Sequence, residues 1–166
     1  SFSKNELELF YANLNKELKS SRYGKFINIY LNTENLEIGD KYVNFEALNI
    51  DDEKKKFSDF VTNDFNLLNF STYHCVPSMQ TLEELFVISK KNSDKLTIIN
   101  YYVDADIKGF ETFSKFKNKN WSSIRNNEGR YNTAYALYRI TSTPTLFLFD
   151  KRGILIKKYA RFDSQS

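Results

Sequence analysis

Two short apolar runs on either side of a helical pattern constrain the fold of this chain more than any other feature. The runs DFNLLNFST (64–72) and LTIINYYVD (96–104) have the length and apolar content of strands that are buried on both faces. Between them, PSMQTLEELFVISKKN (77–92) has apolar residues near helical spacing, a proline in its first turn and two lysines in its last. This alternation predicts an α/β sheet.

The segments around this unit extend the pattern. Helices are predicted for IKGFETFSKFKN (107–118) and RYNTAYALYRI (130–140), and the polar stretch WSSIRNNEG separates them. TPTLFLFD (143–150) and ILIKKYARF (154–162) predict two strands joined by a tight turn, and KYVNFEALNI (41–50) predicts an edge strand followed by a short hairpin. We therefore expect a central mixed sheet with helices on both faces.

The N-terminal segment differs from the rest of the chain. KNELELFYANLNKELKS (4–20) places its apolar residues at helical spacing and predicts an amphipathic helix. SRYGKFINIYLN (21–32) fits a helix or a strand, and we favour a second short helix. We expect a helical extension over residues 1–36 and one main domain over residues 37–166.

Composition and charge exclude several classes of function. The 24 basic and 21 acidic residues are spread over mixed-sign segments such as DDEKKKFSD (51–59), so we do not expect nucleic-acid binding. A single cysteine excludes an internal disulfide framework and a multi-thiolate zinc site, and we expect no metal or other cofactor. No apolar run approaches the roughly 18 residues of a membrane-spanning helix. The chain starts without Met or a signal peptide, so we expect a fragment of a longer protein.

The segment FSTYHCVPSM (70–79) contains the only cysteine and the only histidine of the chain. Cys75 follows a predicted strand and precedes a predicted helix, at the sheet edge where open α/β sheets usually carry their chemistry. The N–H groups and dipole of that helix favour a thiolate. Cys75 is therefore a reactive thiol or, alternatively, a small buried apolar residue. His74 either stabilises the thiolate or faces solvent.

Three segments resemble the TlpA/ResA-like thiol-disulfide oxidoreductases, which have the thioredoxin fold. NLLNFSTYHCVPSMQTLEEL (66–85) resembles their strand, loop and helix, in which Cys-x-Pro-Cys opens the helix. EIGDKYVNFEALNIDDEKKKFSDF (37–60) resembles the segment that enters the domain, and YRITSTPTLFLFDKRGILIKKY (138–159) resembles the cis-proline strand and the last hairpin. The resemblance therefore covers roughly residues 37–163.

This resemblance implies a role for each residue of the motif. Cys75 is the nucleophile that forms a mixed disulfide with a partner polypeptide, and Pro77 sets the helix start. Ser78 stands at the position of the second cysteine and cannot resolve that disulfide, so an external thiol or reductase is required. Thr143 and Pro144 form a cis peptide and contact the substrate, as does Val76. The family also implies a location outside the cytoplasm, in the bacterial periplasm or tethered to a membrane, and an upstream domain in the full-length chain.

Two neighbouring positions indicate that Ser78 is natural rather than introduced. Thioredoxins carry a buried acid where Asn69 stands, although TlpA-like proteins commonly have asparagine there, and many relatives have glutamate at the position of Thr81. These acids assist the proton transfer of the resolving thiol. The second cysteine and both acids that would assist it are therefore absent together. For this reason we favour a natural Cys-x-x-Ser site.

Two other functions stay open. Thr72 and Cys75 match the Thr-x-x-Cys part of the peroxiredoxin pattern, but Leu68 stands where that pattern requires proline. A peptide-binding module without turnover is the other alternative. Three residues have further roles to be tested: Arg125 and Arg139 as anion contacts or surface residues, and Trp121 as a cover of the site or as part of the core.

Overall fold

The computed structural model describes residues 3–160 and places seven strands of that region in one sheet. The strands are β1 (Glu46–Leu48), β2 (Lys54–Lys56), β3 (Phe65–Ser71), β4 (Leu96–Tyr102), β5 (Trp121–Arg125), β6 (Thr145–Asp150) and β7 (Leu155–Tyr159). The helices are α1 (Lys4–Ala12), α2 (Lys16–Ser20), α3 (Arg22–Asn32), α4 (Val76–Lys91), α5 (Ile107–Phe113) and α6 (Thr133–Leu137). Short 3-10 helices lie at Phe57–Phe60 and Gly129–Tyr131.

The sheet is mixed, as the sequence predicts, and its strand order is β2-β1-β5-β4-β3-β6-β7. The central strand β3 runs parallel to β4 and antiparallel to β6. β4 is also parallel to β5, whereas β7 and the β1–β2 hairpin are antiparallel to their neighbours. β3 and β4 therefore end at the same edge of the sheet, where the chain leaves β3 for α4.

Helices cover both faces of this sheet, which confirms the predicted α/β architecture. On one face Leu67 of β3 packs in a cluster with Leu82 and Leu85 of α4 and with Phe110 of α5. On the other face Leu68 and Phe70 pack with side chains of α6 and with Phe57, which is fully buried. Burying one such phenylalanine stabilises a fold by about 1.5–3 kcal/mol. This packing holds α4, the helix that begins after Cys75, against the sheet.

The predicted helix over residues 4–20 is in fact two helices. α1 begins with a capping box in which Ser3 and Glu6 bond each other's backbone N–H groups. It ends at Ala12, and Asn15 then caps α2 by accepting a hydrogen bond of 2.8 Å from Leu18 N–H. The helical interpretation of residues 21–32 is confirmed by α3.

The polar stretch between the two predicted helices contains a strand that the sequence analysis does not predict, because WSSIR forms β5. This strand pairs in parallel with β4, and Ser123 and Arg125 are 5% and 6% exposed. Ser123 and Arg125 are buried without the apolar pattern that marks a buried strand, so no local pattern predicts this strand. Trp121 packs in the core of the α4 face, as the second of its two interpretations expected.

The predicted edge strand over residues 41–50 is also placed differently. Only Glu46–Leu48 forms a strand, and β2, not β1, lies at the edge of the sheet. β2 consists of three lysines. Lysines on an edge strand discourage pairing with another chain, because each added strand would bring their charges together.

The N-terminal helices are attached to the main domain by Arg139. Its Nε donates to Thr33 O at 2.9 Å and its Nη2 donates to Tyr30 O at 2.7 Å, so the guanidinium caps the C-terminal end of α3. The same group lies 4.3 Å from the centre of the Tyr30 ring. Arg139 is therefore neither a free anion contact nor an ordinary surface residue. Arg125 is likewise buried and bonded, to Asp52 and Asn127.

Candidate active site

Cys75 lies where β3 passes into α4. The strand ends at Ser71, a short loop follows, and Cys75 occupies the N-cap of the helix with an extended backbone. Pro77 lies in the first turn, where a missing N–H removes no helical hydrogen bond. The backbone N–H of Ser78 in that turn is consequently available to the half-buried sulfur.

A second loop completes the site from the opposite side. The Thr143–Pro144 peptide, which leads into β6, is cis. Cys75 Sγ lies 3.6 Å from Thr143 O, to which the thiol donates a hydrogen bond. Thr72 Oγ1 lies 3.1 Å from Thr143 Oγ1, so the two loops are also joined through their hydroxyls.

The surroundings of Cys75 favour its ionised form. Burial by itself raises the pKa of the Cys75 thiol, and hydrogen bonding by the Ser78 hydroxyl and backbone N–H, with smaller contributions from the Thr72 and Thr143 hydroxyls, outweighs it. The net result is a pKa below the ordinary value of a cysteine thiol. A lower pKa increases the fraction of thiolate, which is the nucleophilic form.

Ser78 is completely buried beneath the start of α4. Within the described part of the chain its Oγ makes no regular hydrogen bond in the thiol form of the site, yet it stabilises the thiolate. The hydroxyl is thus available to the sulfur and cannot itself exchange with a disulfide. Val76, by contrast, is 69% exposed on the outer side of the same turn.

His74 is exposed, and its ring lies 5.2 Å from the Tyr73 ring in an edge-to-face arrangement. The Tyr102 hydroxyl, which donates to Asp106 at 2.8 Å, is the main reason that the pKa of the Asp106 carboxyl lies below its ordinary value; the charge of His74 adds to this effect. The structure therefore places His74 against the Tyr73 ring, on the exposed side of the loop.

Comparison with known proteins follows the same segments. A family model described as thioredoxin-like matches residues 63–155, which is more than half of the chain. The chain belongs to the thioredoxin-like family. The matched residues include Cys75, Ser78 and Pro144, and the expected resemblance to thioredoxin-fold proteins is confirmed at this level.

Solved structures share the thioredoxin-like fold. The C-terminal domain of a thiol-disulfide oxidoreductase of Bacteroides thetaiotaomicron is 22% identical with a TM-score of 0.66, and the match covers 76% of this chain and 88% of that one. A thiol:disulfide interchange protein DsbE of Chlorobium tepidum is 21% identical with a TM-score of 0.66, over 78% and 89%. No curated protein sequence matches significantly.

One solved structure also matches the N-terminal helices. A thioredoxin-like protein of Bacteroides caccae is 20% identical with a TM-score of 0.63, and the match covers 98% of this chain but 58% of that one. The arrangement of extension and thioredoxin-like domain therefore recurs in a longer protein.

Two contributors to this thioredoxin-like site were not among the expected catalytic residues. Thr72 was noted only within the peroxiredoxin pattern, although its hydroxyl lies at the centre of the site. Asp104 accepts a hydrogen bond of 3.1 Å from Tyr73 N–H and holds the loop before Cys75. A threonine directly after a buried strand is a weak signal, and Asp104 follows a different strand, so their contacts depend on the fold.

Beneath α4 the thioredoxin-like domain has a pair of neutral amides. Asn69 and Asn100 are adjacent on β3 and β4 and both are fully buried. Asn69 Nδ2 donates to Asn100 Oδ1 at 3.0 Å. Thr81 of α4 is 3% exposed. No carboxyl group among these residues can carry the proton of a resolving thiol.

Proposed function

We propose that this chain is a thiol-disulfide exchange protein whose Cys75 thiolate attacks disulfides of partner polypeptides. The observation that carries the proposal is the position of Cys75 Sγ at the N-terminus of α4, 3.6 Å from the carbonyl of Thr143. The lowered pKa of the Cys75 thiol supports it, since it provides more thiolate near neutral pH.

The first step is an exchange between sulfurs. The Cys75 thiolate attacks one sulfur of the partner disulfide, a bond forms between the two, and the partner's other sulfur leaves as a thiolate. Val76, which is exposed beside the sulfur, would contact the arriving chain. The backbone of Thr143 would pair with an extended partner segment, which is a general way of binding peptides at strand edges.

The second step requires a thiol from elsewhere. Ser78 occupies the position from which a second cysteine would attack the mixed disulfide, and an alcohol does not perform this exchange. An external thiol such as glutathione attacks Cys75 Sγ and releases the partner as a thiolate, and a second equivalent then restores the Cys75 thiolate and forms glutathione disulfide. Alternatively, another cysteine of the partner attacks its own sulfur, and the partner leaves with a rearranged disulfide.

A peptide-binding module without turnover is the second candidate. It is favoured by the combination of Ser78 with an intact Thr143–Pro144 loop, which keeps the substrate contact and removes the resolving step. A peroxidase has less support. The two arginines considered as anion contacts have other partners: Arg125 is bonded to Asp52, and Arg139 is bonded to the end of α3. Neither is therefore free to contact an anion at Cys75.

The organisation and location of the protein are part of this proposal. We retain the boundary at residue 36, with a helical extension before it and the thioredoxin-like domain after it. The match over 58% of a longer protein supports a further domain in the full-length chain. A location outside the cytoplasm is proposed because partner disulfides persist in oxidising compartments. No helix within residues 3–160 is long and apolar enough to cross a membrane.

The decisive experiment mixes the reduced protein with a partner peptide that contains one disulfide and follows intact masses without reducing agent. We expect one mixed disulfide per chain, its release on addition of glutathione, and no adduct with Cys75→Ser. If the wild type and Cys75→Ser bind the peptide equally well and neither forms an adduct, the binding module is established instead. Oxidation of Cys75 by hydrogen peroxide without disulfide exchange would establish the peroxidase.

A further inference from the structure

Thr72 is buried at the junction between the two loops of the candidate site. It directly follows β3, is 3% exposed, and its Oγ1 lies 3.1 Å from Thr143 Oγ1. Thr143 in turn accepts the hydrogen bond of the Cys75 thiol through its carbonyl. Thr72, Thr143 and Cys75 therefore form one connected group of polar atoms.

Counting protons shows what this group can offer to a thiolate. The two threonine hydroxyls carry two protons, of which one is used in the hydrogen bond between them, so the second can rotate towards a nearby acceptor. In the thiol form the sulfur donates to Thr143 O and needs no donor. Once Cys75 is ionised its sulfur becomes an acceptor, and the second hydroxyl proton can bond to it.

We propose that Thr72 is a positioning residue for the Cys75 thiolate, because its hydroxyl fixes that of Thr143 and the pair keeps one O–H donor beside Sγ. The inference rests on the proposed function, in which the Cys75 thiolate is the nucleophile. The contribution of both hydroxyls to lowering the pKa of Cys75 agrees with it. Thr72 also links the sulfur to the loop whose backbone would hold the partner polypeptide.

The test measures the rate of iodoacetamide alkylation of Cys75 against pH for the wild type, Thr72→Val and Thr72→Ser. Thr97→Val is the matched control. Thr97 is 4% exposed, its Oγ1 also lies 3.1 Å from a second threonine hydroxyl, that of Thr62, and it lies near the start of β4, at the opposite end of the sheet. Urea unfolding of each variant reports stability separately.

We expect Thr72→Val to raise the midpoint of the alkylation profile by about one pH unit, which slows the reaction about tenfold at pH values well below the midpoint. Thr72→Ser keeps a hydroxyl and restores most of the wild-type midpoint. Thr97→Val loses a similar hydroxyl pair and leaves the midpoint unchanged, so a general loss of stability would not reproduce the shift.

Two results would overturn the inference in different ways. A wild-type midpoint clearly below about 8.5 together with an unchanged midpoint in Thr72→Val removes the role of Thr72 and leaves the proposed function intact. A wild-type midpoint at or above that value removes the nucleophilic thiolate, and both proposals with it. If Thr72→Val does not fold, Thr72→Ala gives the same comparison without the added methyl group.

Discussion

Asn69 donates a hydrogen bond of 3.0 Å to Asn100 across two parallel strands, fully buried beneath the helix that carries Cys75. The remaining polar atoms of the pair, Asn69 Oδ1 and Asn100 Nδ2, have no partner within residues 3–160. A neutral amide is tolerated there more easily than a charge, since an isolated ion pays a far larger desolvation penalty. The pair therefore keeps this side of the site uncharged at every pH.

Replacing Asn69 by aspartate should make stability depend on pH. Burial raises the pKa of the new carboxyl above about 3.9, so the folded protein binds more protons than the unfolded chain above that pH. Stability then falls as pH rises through this window, and we expect a loss of about 3 kcal/mol by about pH 8.

Urea unfolding at about pH 5 and about pH 8 measures this loss of stability. Asn69→Leu is the control, with a deficit independent of pH; the same flat deficit in Asn69→Asp would contradict the prediction.

Restoring the second thiol should change the end point of a single turnover. With glutathione disulfide and no other thiol, the reduced wild type should stop as a mixed disulfide between Cys75 and one glutathione. Ser78→Cys places a thiol at the buried resolving position, so it should release both glutathiones and end with an internal disulfide. Intact-mass measurement separates the two products.

The control for this prediction is Ser78→Cys in a Cys75→Ser background, in which the remaining buried thiol should stay unmodified. If Ser78→Cys stays glutathionylated like the wild type, the residue is not placed to resolve the disulfide, and the assignment of its position is wrong.

The parts of the structure that the sequence predicts are those with strong local signals. β3 and α4 combine a continuous apolar run, a proline in the first helical turn and lysines in the last, and each of these acts within a few residues. The Cys75 segment is predictable for the same reason. β5 is not, because Ser123 and Arg125 are stabilised in the sheet by burial beside β4 and by contacts with Asp52 and Asn127.

The contacts around Cys75 also depend partly on local sequence and partly on long-range contacts. Its position at a helix start follows from residues 70–79, but Thr143 is 68 residues away and Thr72 reaches it only after β3 and β6 have paired. The capping role of Arg139 likewise depends on contacts that no local pattern contains. Long-range hydrogen bonds, rather than helix or strand preferences, determine these features.

Removing the guanidinium of Arg139 should loosen the N-terminal helices. Arg139 has a positive φ of 48° and donates to the carbonyls of Tyr30 and Thr33. Arg139→Gly accepts this backbone conformation and loses both hydrogen bonds, and we expect a loss of about 1–2 kcal/mol and faster amide exchange in α3. Hydrogen exchange resolved by segment measures it, with β3 and β4 as internal references.

Arg139→Lys is the informative companion variant. It keeps the positive charge, but a single ammonium cannot reproduce the two directed donors of the guanidinium, so exchange in α3 should still be faster than in the wild type. Unchanged exchange in both variants would mean that α3 is held on the domain by apolar contacts, such as those of its Phe26 with the core and with the Tyr131 ring.

The ionisation of Cys75 should appear in the pH dependence of stability. Its folded pKa lies below the ordinary value, to which the unfolded thiol at about 8.5 is close. Between the two values the unfolded chain binds more protons, so stability rises with pH through this window and is fully present above the unfolded pKa. As pH falls through the folded pKa, this contribution is lost. The difference in unfolding free energy between wild type and Cys75→Ser, measured from about pH 6 to about pH 10, isolates the contribution of Cys75. The other titrating groups are the same in both proteins, so their contributions cancel in the difference. A difference that stays constant or falls with pH would show that the folded protein does not favour the thiolate.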